Sequence, residues 1–535
     1  APALAILRDD GTVLADGEVA GEIGTVEAQP DGPGNYGVRV GPADGEEAVE
    51  YTLAVGATPP AGACQADRLA LSEDGRWRLG VHIADVAAYV EPGSDIDREA
   101  LRRGNSTYLV DRVIRMLPED LTVRICSLQP GEDHLTHTVD MVFDPQGELE
   151  TATTYRSVIR SKACLSYDQV QAFFDTGRLA GGTDDIRESL RALRKLAKKI
   201  RTLRFRNGAL DFALPEVHCD LDAQGNPIGF TKRASTEAYN LIEECMLAAN
   251  RVVARKIFAA RLPGIFRVHD GPSEEQWTRM AEELRALGHS DTPGYAHDLN
   301  RIARAVLGRP DQYITTLTLL RNMKRAVYAN ECRPHFGLGF KHYAHFTSPI
   351  RRYPDLVLHR ILIGLEEGRK HPACSAAEIA KLAVHCSETE RESAELEIQS
   401  ILTKRIRYYA ARLEAGETGP FQGTIISLNP KGLIVELQDT LQQGLLPYSA
   451  LGHGRYAVSD DGFRAASRQG GAYRLGQPVE VALATVDERL KRIDFFLPGA
   501  LRPGRHKHID KQRGKVRNKR SKHPERSGAS RRPTK

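Results

Sequence analysis

HFTSPIRRYPDLVLHR, His345 to Arg360, is the stretch on which the reading of this chain turns. Ser348 is a good helix N-cap and Pro349 a good first helical residue. Tyr353, Leu356, Val357 and Ile361 then recur at helical spacing, which predicts a helix with that face in a core. Arg351 falls in the first turn of such a helix, beside unpaired backbone N–H groups and the positive end of the helix dipole. A guanidinium there can take two oxygens of a phosphate. The same residues also make an ordinary capped helix with a surface arginine, so the surrounding sequence has to decide.

The chain has 535 residues, 41% of them apolar and 27% charged, the balance of a soluble globular protein of several domains. No apolar run reaches the 18 or so residues of a membrane span, so no membrane association is expected. The opening APALAILRDDGTVL lacks both an initiator Met and the layout of a signal peptide, which predicts a processed or trimmed start. Eight cysteines lie scattered with no CxxC pair. That favours a reducing, cytoplasmic location over a disulfide framework or a zinc site. Net charge is +4, but Leu501 to Lys535 carry 14 Lys/Arg against two acids, an excess of +12, which leaves −8 on the rest. A basic tail of this kind is a solvated segment or a loose arm for RNA or the ribosome.

Residues 1–57 alternate short β-prone runs with Gly, Pro and Asp turns and read as a small β module. RWRLGVHIADVAAYV, Arg76 to Val90, opens as a buried strand. Long helices are expected over Asp184–Arg206, with a basic face, over Asn240–Leu262 and over Ala376–Leu413. From Gly419 to Leu497 five short strands with Gly turns predict a small barrel. After Pro498 the chain is too polar to fold and reads as a disordered basic tail, residues 499–535.

Further blocks stand upstream of the opening segment. They are GVHIADVAAYVEPGSDIDREALRRGNSTYLVDRVIRMLPEDL, ICSLQPGEDHLTH, SKACLSYDQV, RNGALDF, LIEECMLAANRVVARK and PHFGLGF. In this order and spacing they resemble the catalytic RNB domain of the ribonuclease II and ribonuclease R family, 3′→5′ exoribonucleases, over residues 58–416. Residues 417–498 resemble the OB-fold RNA-binding domain, of the ribosomal S-one type, that closes those enzymes. The resemblance implies an α+β fold, with an RNB domain holding an RNA channel and small OB-fold barrels beside it. The first 57 residues have room for one partial cold-shock or OB-like module.

By the same resemblance, Arg351 holds the phosphate next to the scissile bond; Arg352 beside it and Arg68, a cation able to neutralise a phosphate, are further candidate RNA contacts. Tyr108 packs against the terminal nucleotides, Phe212 stacks on the last base, and Glu243 lies near the terminal ribose. Phe421 and Tyr448 are the candidate stacking groups of the barrel, since every base offers a π face. The family binds Mg²⁺ through four aspartates spaced D-x5-D-x-D-D. Here those positions, in TPPAGACQADRLALS (Thr58 to Ser72), are Pro60, Ala66, Arg68 and Leu69, and Asp67 falls one place off. No metal is therefore expected. Asp85, Asp97, Asp111 and Asp355 are acids the family also carries and do not read as replacements.

The function that follows is a monomeric protein that holds single-stranded RNA by its 3′ end with little or no hydrolysis. The alternative is an active Mg²⁺-dependent 3′→5′ exoribonuclease releasing nucleoside 5′-monophosphates. A third reading is a ribosome- or RNA-associated scaffold. Deleting residues 501–535 should flatten the plot of log K against log salt, because each phosphate neutralised adds about 0.7 to the slope on single strands. Thermal stability should be nearly unchanged. Equal slopes with and without the tail would show that the tail does not touch RNA.

Overall fold

The computed structural model describes residues 37–40, 51–54, 70–71 and 75–499, apart from 213–215, 234, 291, 370–373 and 453. At its centre is a seven-stranded sheet. Its strands are β1 (Gly37–Val40), β2 (Tyr51–Ala54), β3 (Ala70–Leu71), β4 (Trp77–Ala84), β7 (Asp133–Phe143), β8 (Leu149–Arg160) and β9 (Ala163–Cys164). A hairpin of β5 (Thr107–Leu109) and β6 (Arg112–Ile114) lies between β4 and β7 in the chain. The sheet order is β8-β7-β4-β2-β1-β9, with β3 also on β4. β4 reads as a continuous apolar run because it is central and nearly every residue of it is buried. It pairs antiparallel with β7 along its whole length, Trp77 opposite Phe143 through Ala84 opposite Thr136. β1 and β2 differ from the sequence expectation of a separate amino-terminal module. β2 pairs with β4 and β1 with β9, so both belong to the central sheet.

Nine helices are described. They are α1 (Asp95–Arg103), α2 (Tyr167–Thr176), α3 (Asp184–Arg206), α4 (Glu237–Ala259), α5 (Glu274–Ala286), α6 (Ala296–Ala305), α7 (Gln312–Arg321), α8 (Tyr353–Glu366) and α9 (Ala376–Glu414). None is long and apolar enough to cross a membrane. A short hairpin, β10 (Glu216–Leu221) with β11 (Pro227–Arg233), precedes α4, and a two-stranded sheet, β12 (Phe266–Val268) with β13 (Val327–Ala329), brackets α5 to α7. α4 starts on a Thr236 cap and lays Leu241, Cys245, Ala249, Val252 and Ile257 into the core shared with β4 and α8. α9 opens on a Ser375/Glu378 capping box, in which each side chain satisfies the other's backbone N–H.

α8 corrects the reading of the opening segment. It begins at Tyr353, four residues later than Pro349. A helix from Pro349 would bury Pro354 in its interior, where the ring meets the carbonyl four residues back and one hydrogen bond is lost. Starting at Tyr353 leaves Pro354 in the first turn, where no bond is missing. Ser348 is therefore not the N-cap. Its N–H instead donates to Asp355 Oδ1 at 2.7 Å, and its carbonyl accepts the Arg351 N–H at 3.2 Å, closing a turn. Arg351 sits on that turn, one step ahead of the helix. Tyr353, Leu356, Val357 and Ile361 are buried as their spacing predicts.

The five carboxy-terminal strands close into a barrel. They are β14 (Phe421–Asn429), β15 (Gly432–Leu437), β16 (Gln443–Pro447), β20 (Pro478–Asp487) and β21 (Arg492–Phe496), in the order β14-β15-β16-β21-β20. Gly432 has no room for a Cβ against the Leu446 carbonyl and the Pro447 backbone. Between β16 and β20 the chain inserts a three-stranded sheet, β17 (Tyr456–Val458), β18 (Arg464–Ser467) and β19 (Ala472–Arg474). The barrel rests on α9 and α7. Tyr409 Oη bonds Thr440 Oγ1 at 2.8 Å, the Arg321 guanidinium donates to the Ile426 carbonyl at 3.1 Å, and Tyr313 donates to Glu436.

Several histidines are sealed in this core as neutral rings. Burial pushes His82 down to about 3, with Thr138 Oγ1 at 2.6 Å from its Nδ1. His335 is likewise held at about 3, chiefly by burial. His359, stacked on Phe346, and His345 are held well below the usual range by burial first, with nearby cationic or imidazole groups adding to it. Their folded pKa values lie below the unfolded value of about 6.5. As pH falls through that value the unfolded chain therefore binds protons that the native chain refuses. Stability should fall by up to about 1.4 kcal/mol per pH unit for each such histidine. Denaturant melts between pH 7 and 5 measure this, and a flat profile there would show the rings titrate normally.

Candidate RNA-binding site

Arg351 and Tyr108 are brought together by a clip between two segments distant in sequence. Ser106 N–H donates to the Arg351 carbonyl at 3.0 Å and Tyr353 N–H to the Gly104 carbonyl at 2.9 Å, around an Asn105–Arg352 bridge. Gly104 ends α1 at φ +71° with its N–H on the Ala100 carbonyl, and a Cβ there would collide with Thr389. The clip sets the Arg351 guanidinium carbon 6.0 Å from the Tyr108 ring centroid. A guanidinium beside an aromatic ring can hold a phosphate while the ring stacks the adjoining base. α9 fixes the hairpin from behind. Ser393 Oγ meets Asn105 Nδ2 at 2.8 Å and Thr107 Oγ1 at 2.7 Å, while Glu397 and Ser400 accept the Tyr108 and Val110 N–H groups, each at 3.1 Å. Arg352 points elsewhere, to Asp355 Oδ1 at 2.7 Å.

Phe212 and Glu243 form a second group. Asn300 accepts the Asp211 N–H at 3.1 Å and donates to the Ala209 carbonyl at 2.7 Å, which fixes the strand-like run into Phe212. Phe212, like Leu210, Trp277 and Phe336, packs against the buried cluster of Met280, Leu284, Leu299, Ile302 and Leu319. It lines a cavity of about 460 Å³ with Leu210, His269, Lys324, Arg325 and Gly337 among the other walls. Arg201 reaches Asp211 at 3.5 Å and Glu243 at 3.3 Å, tying the two candidates together. Glu243 is half exposed, whereas its neighbour Glu244 is buried on Arg204 at 3.1 Å from Nε. Burial raises the Glu244 carboxyl despite the opposing Arg204 charge.

A row of rings leads away from the Phe212 cavity as far as His345, and sequence reasoning missed it. From the cavity, His269, His335, Tyr343 and His345 follow at centroid separations of 5.1, 5.4 and 5.6 Å. His345 Nδ1 is 2.9 Å from Tyr328 Oη, and the charges of Arg352, Arg267 and Arg351 help burial keep it neutral. The signal was the density of His and aromatic residues in PHFGLGFKHYAHF, Pro334 to Phe346.

The candidate stacking groups of the barrel already have protein partners. Phe421 lies under the Arg412 guanidinium at 5.0 Å and edge-on to Tyr409 at 5.7 Å. Tyr448 stacks on Tyr456 at 5.1 Å.

The acids near the site are each held by a cation. Asp85 accepts Arg156 Nε at 2.7 Å, Asp97 pairs with Arg360 at 2.8 Å, Asp111 with Lys404 at 3.1 Å, and Asp355 with Arg352 at 2.7 Å. Among the described residues no group of three or more His, Cys, Asp or Glu is placed to hold a metal ion. Pro60, Ala66, Asp67, Arg68 and Leu69 lie outside the described residues. As a donor set, Pro60, Ala66 and Leu69 offer no side-chain ligand and Arg68 offers a cation, which does not fit Mg²⁺.

Residues 63–367 match the RNB domain. The chain belongs to the RNB-domain family. Ribonuclease R of Aquifex aeolicus is 37% identical over 436 residues, 80% of this chain and 61% of that protein. Ribonuclease R of Escherichia coli is 35% identical over 487 residues, 86% of this chain and 57% of that protein. The chain thus spans about three-fifths of the length of these RNB relatives. Ribonuclease R of Mycoplasma genitalium, solved with ribose-methylated single-stranded RNA, superposes with a TM-score of 0.77 at 26% identity, covering 86% of this chain and 70% of its own. The RNB fold is also shared with yeast Ssd1, described as a pseudonuclease, at a TM-score of 0.63, covering 82% of this chain and 52% of its own, with 18% identity.

Within this RNB site, Glu243 and Glu244 should separate. Glu244→Ala strands the buried Arg204 charge and should destabilise by about 3–5 kcal/mol. Glu243→Ala, at a half-exposed position, should stay within about 1 kcal/mol of the parent. Equal losses in urea melts would mean that Arg204 does not depend on Glu244.

Proposed function

We propose that this chain holds single-stranded RNA by its 3′ end in an RNB channel and hydrolyses it little or not at all. The observation that carries the reading is the set Pro60, Ala66, Arg68 and Leu69 at the family's four aspartate positions. Hard divalent cations need several oxygen ligands, and this set supplies none. The commitment of Asp85, Asp97, Asp111 and Asp355 to arginine or lysine supports it, since none is spare to replace them. A guanidinium at position 68 neutralises phosphate charge but does not generate a hydroxide as a metal does. RNA binding is supported by the Arg351–Tyr108 pair and by Phe212 at its cavity. The RNA complex of the Mycoplasma genitalium enzyme, on the same fold, supports it too. The second reading, an active Mg²⁺-dependent exoribonuclease in the cytoplasm, is favoured by the names of the relatives.

In binding, the roles are simple. Arg351 takes a phosphate, Tyr108 and Phe212 take bases, and Glu243 accepts hydrogen bonds from the terminal ribose hydroxyls. Arg351→Ala should weaken a short 3′-end oligonucleotide by about 1.5–3 kcal/mol, the size of a charge-assisted hydrogen bond. Single-turnover cleavage of a 3′-terminal RNA by the unmodified chain, with Mg²⁺ or EDTA, should release no mononucleotide above background. Restoring aspartate at positions 60, 66, 68 and 69 together should introduce EDTA-sensitive activity, and restoring one should not, because the metals act as a unit. Processive, EDTA-sensitive release by the unmodified chain would establish the exoribonuclease instead.

A further inference from the structure

The inserted sheet β17–β19 presents two faces of opposite character. Tyr456, Val458, Ala465 and Tyr473 turn inward and pack on the barrel core. By the alternation of strands, the residues between them form the outer face. Ala457 lies opposite Ala466, and Ala466 opposite Ala472, so a floor of three small residues crosses all three strands. At one end of that floor Arg464 stands directly opposite Arg474. At the other end, one residue beyond the Tyr456–Ser467 pair, stand Arg455 and Arg468. The packing of Gly454 against Gln469 shows that the two strands stay side by side that far.

All four arginines are exposed, and none has an ion-pair or hydrogen-bonding partner for its guanidinium among the described residues. The two acids of this sheet, Asp460 and Asp461, lie in the β17–β18 turn, where Asp461 accepts from Ser459 Oγ and the Phe463 N–H. Like charges directly opposite on a sheet are destabilising. Arg464 and Arg474 are therefore placed against the stability of their own sheet, which an anion lying across both would relieve. The floor is flat and carries no aromatic or large aliphatic side chain to anchor a protein partner. Arg464 and Arg474 thus stand at one end of the floor and Arg455 and Arg468, the latter one residue past the end of β18, at the other. Two separated pairs suit several phosphates along a polyanion rather than one small ion.

We infer that the outer face of β17–β19 is a second RNA-binding surface that grips the phosphodiester backbone without reading bases, apart from the RNB site. The inference takes RNA as the ligand of the chain and does not depend on whether the chain hydrolyses it.

The test compares the full chain with R464A/R474A. Two single-stranded oligoribonucleotides are used, one just long enough for the Arg351 and Phe212 groups and one extended at its 5′ end. The extended RNA should bind about tenfold more weakly to the variant, as for two lost charge-assisted contacts at a solvated surface. Its salt slope should fall by about 1.4. The short RNA should bind both proteins alike, and the melting temperature should hold or rise. R464Q/R474Q, which keeps much of the side-chain bulk, serves if the alanine pair melts early. Unchanged affinity and slope for the extended RNA would overturn the inference. So would an equal loss for both lengths, which would place the effect at the RNB site. A loss of poly-glutamate binding with RNA binding intact would give the face to an acidic protein and also overturn it. A short RNA that binds neither protein would instead count against the function proposed above.

Discussion

Asp355 is the buried charge on which the site is built. Its carboxylate is fully enclosed, and it accepts the Ser348 N–H and the Arg352 guanidinium. A carboxylate in that position is tolerable only when paired and hydrogen-bonded. Its two donors come from either side of the turn that carries Arg351. The geometry of the turn is thus fixed by a charge that has no other way to be satisfied. The next layer out repeats the device, with Asp97 taking Arg360, the Tyr353 hydroxyl and the Gly93 N–H. Arg352 and Arg360 are committed here to shape, while Arg351 stands beside Tyr108.

This division of labour makes the geometry of the Arg351 turn a property of the chain itself. The clip, the turn and the hairpin are held by backbone hydrogen bonds and by Asp355, none of which needs a cation from solution.

Much of this was legible in the sequence, and the failures have particular causes. The barrel strands and the long helices declare themselves by period and by Gly turns, and their positions in the structure agree to within a few residues. The start of α8 was misread because Ser348-Pro349 is a good local cap, while the decisive residue, Pro354, acts through a clash four residues back. β17–β19 went unseen because three- and four-residue strands, YAV, RAAS and AYR, are too short to show an alternation. The pairing of β1 and β2 into the central sheet depends on partners far along the chain, and nothing local encodes it. The acids of the site were identifiable as aspartates, but only the fold shows each already neutralised.

α9 touches the Tyr108 hairpin through Ser393, Glu397 and Ser400 and the barrel through Tyr409. Glu397 and Tyr409 are 12 residues apart on one uninterrupted helix, about 18 Å at 1.5 Å per residue. The helix is therefore a ruler. It sets the separation between the Tyr108 hairpin and the barrel. A change of one residue in its length would shift that separation and also rotate the barrel by about 100° about the helix axis. The length of α9 is consequently what fixes both the distance and the orientation of the barrel relative to the Arg351–Tyr108 pair.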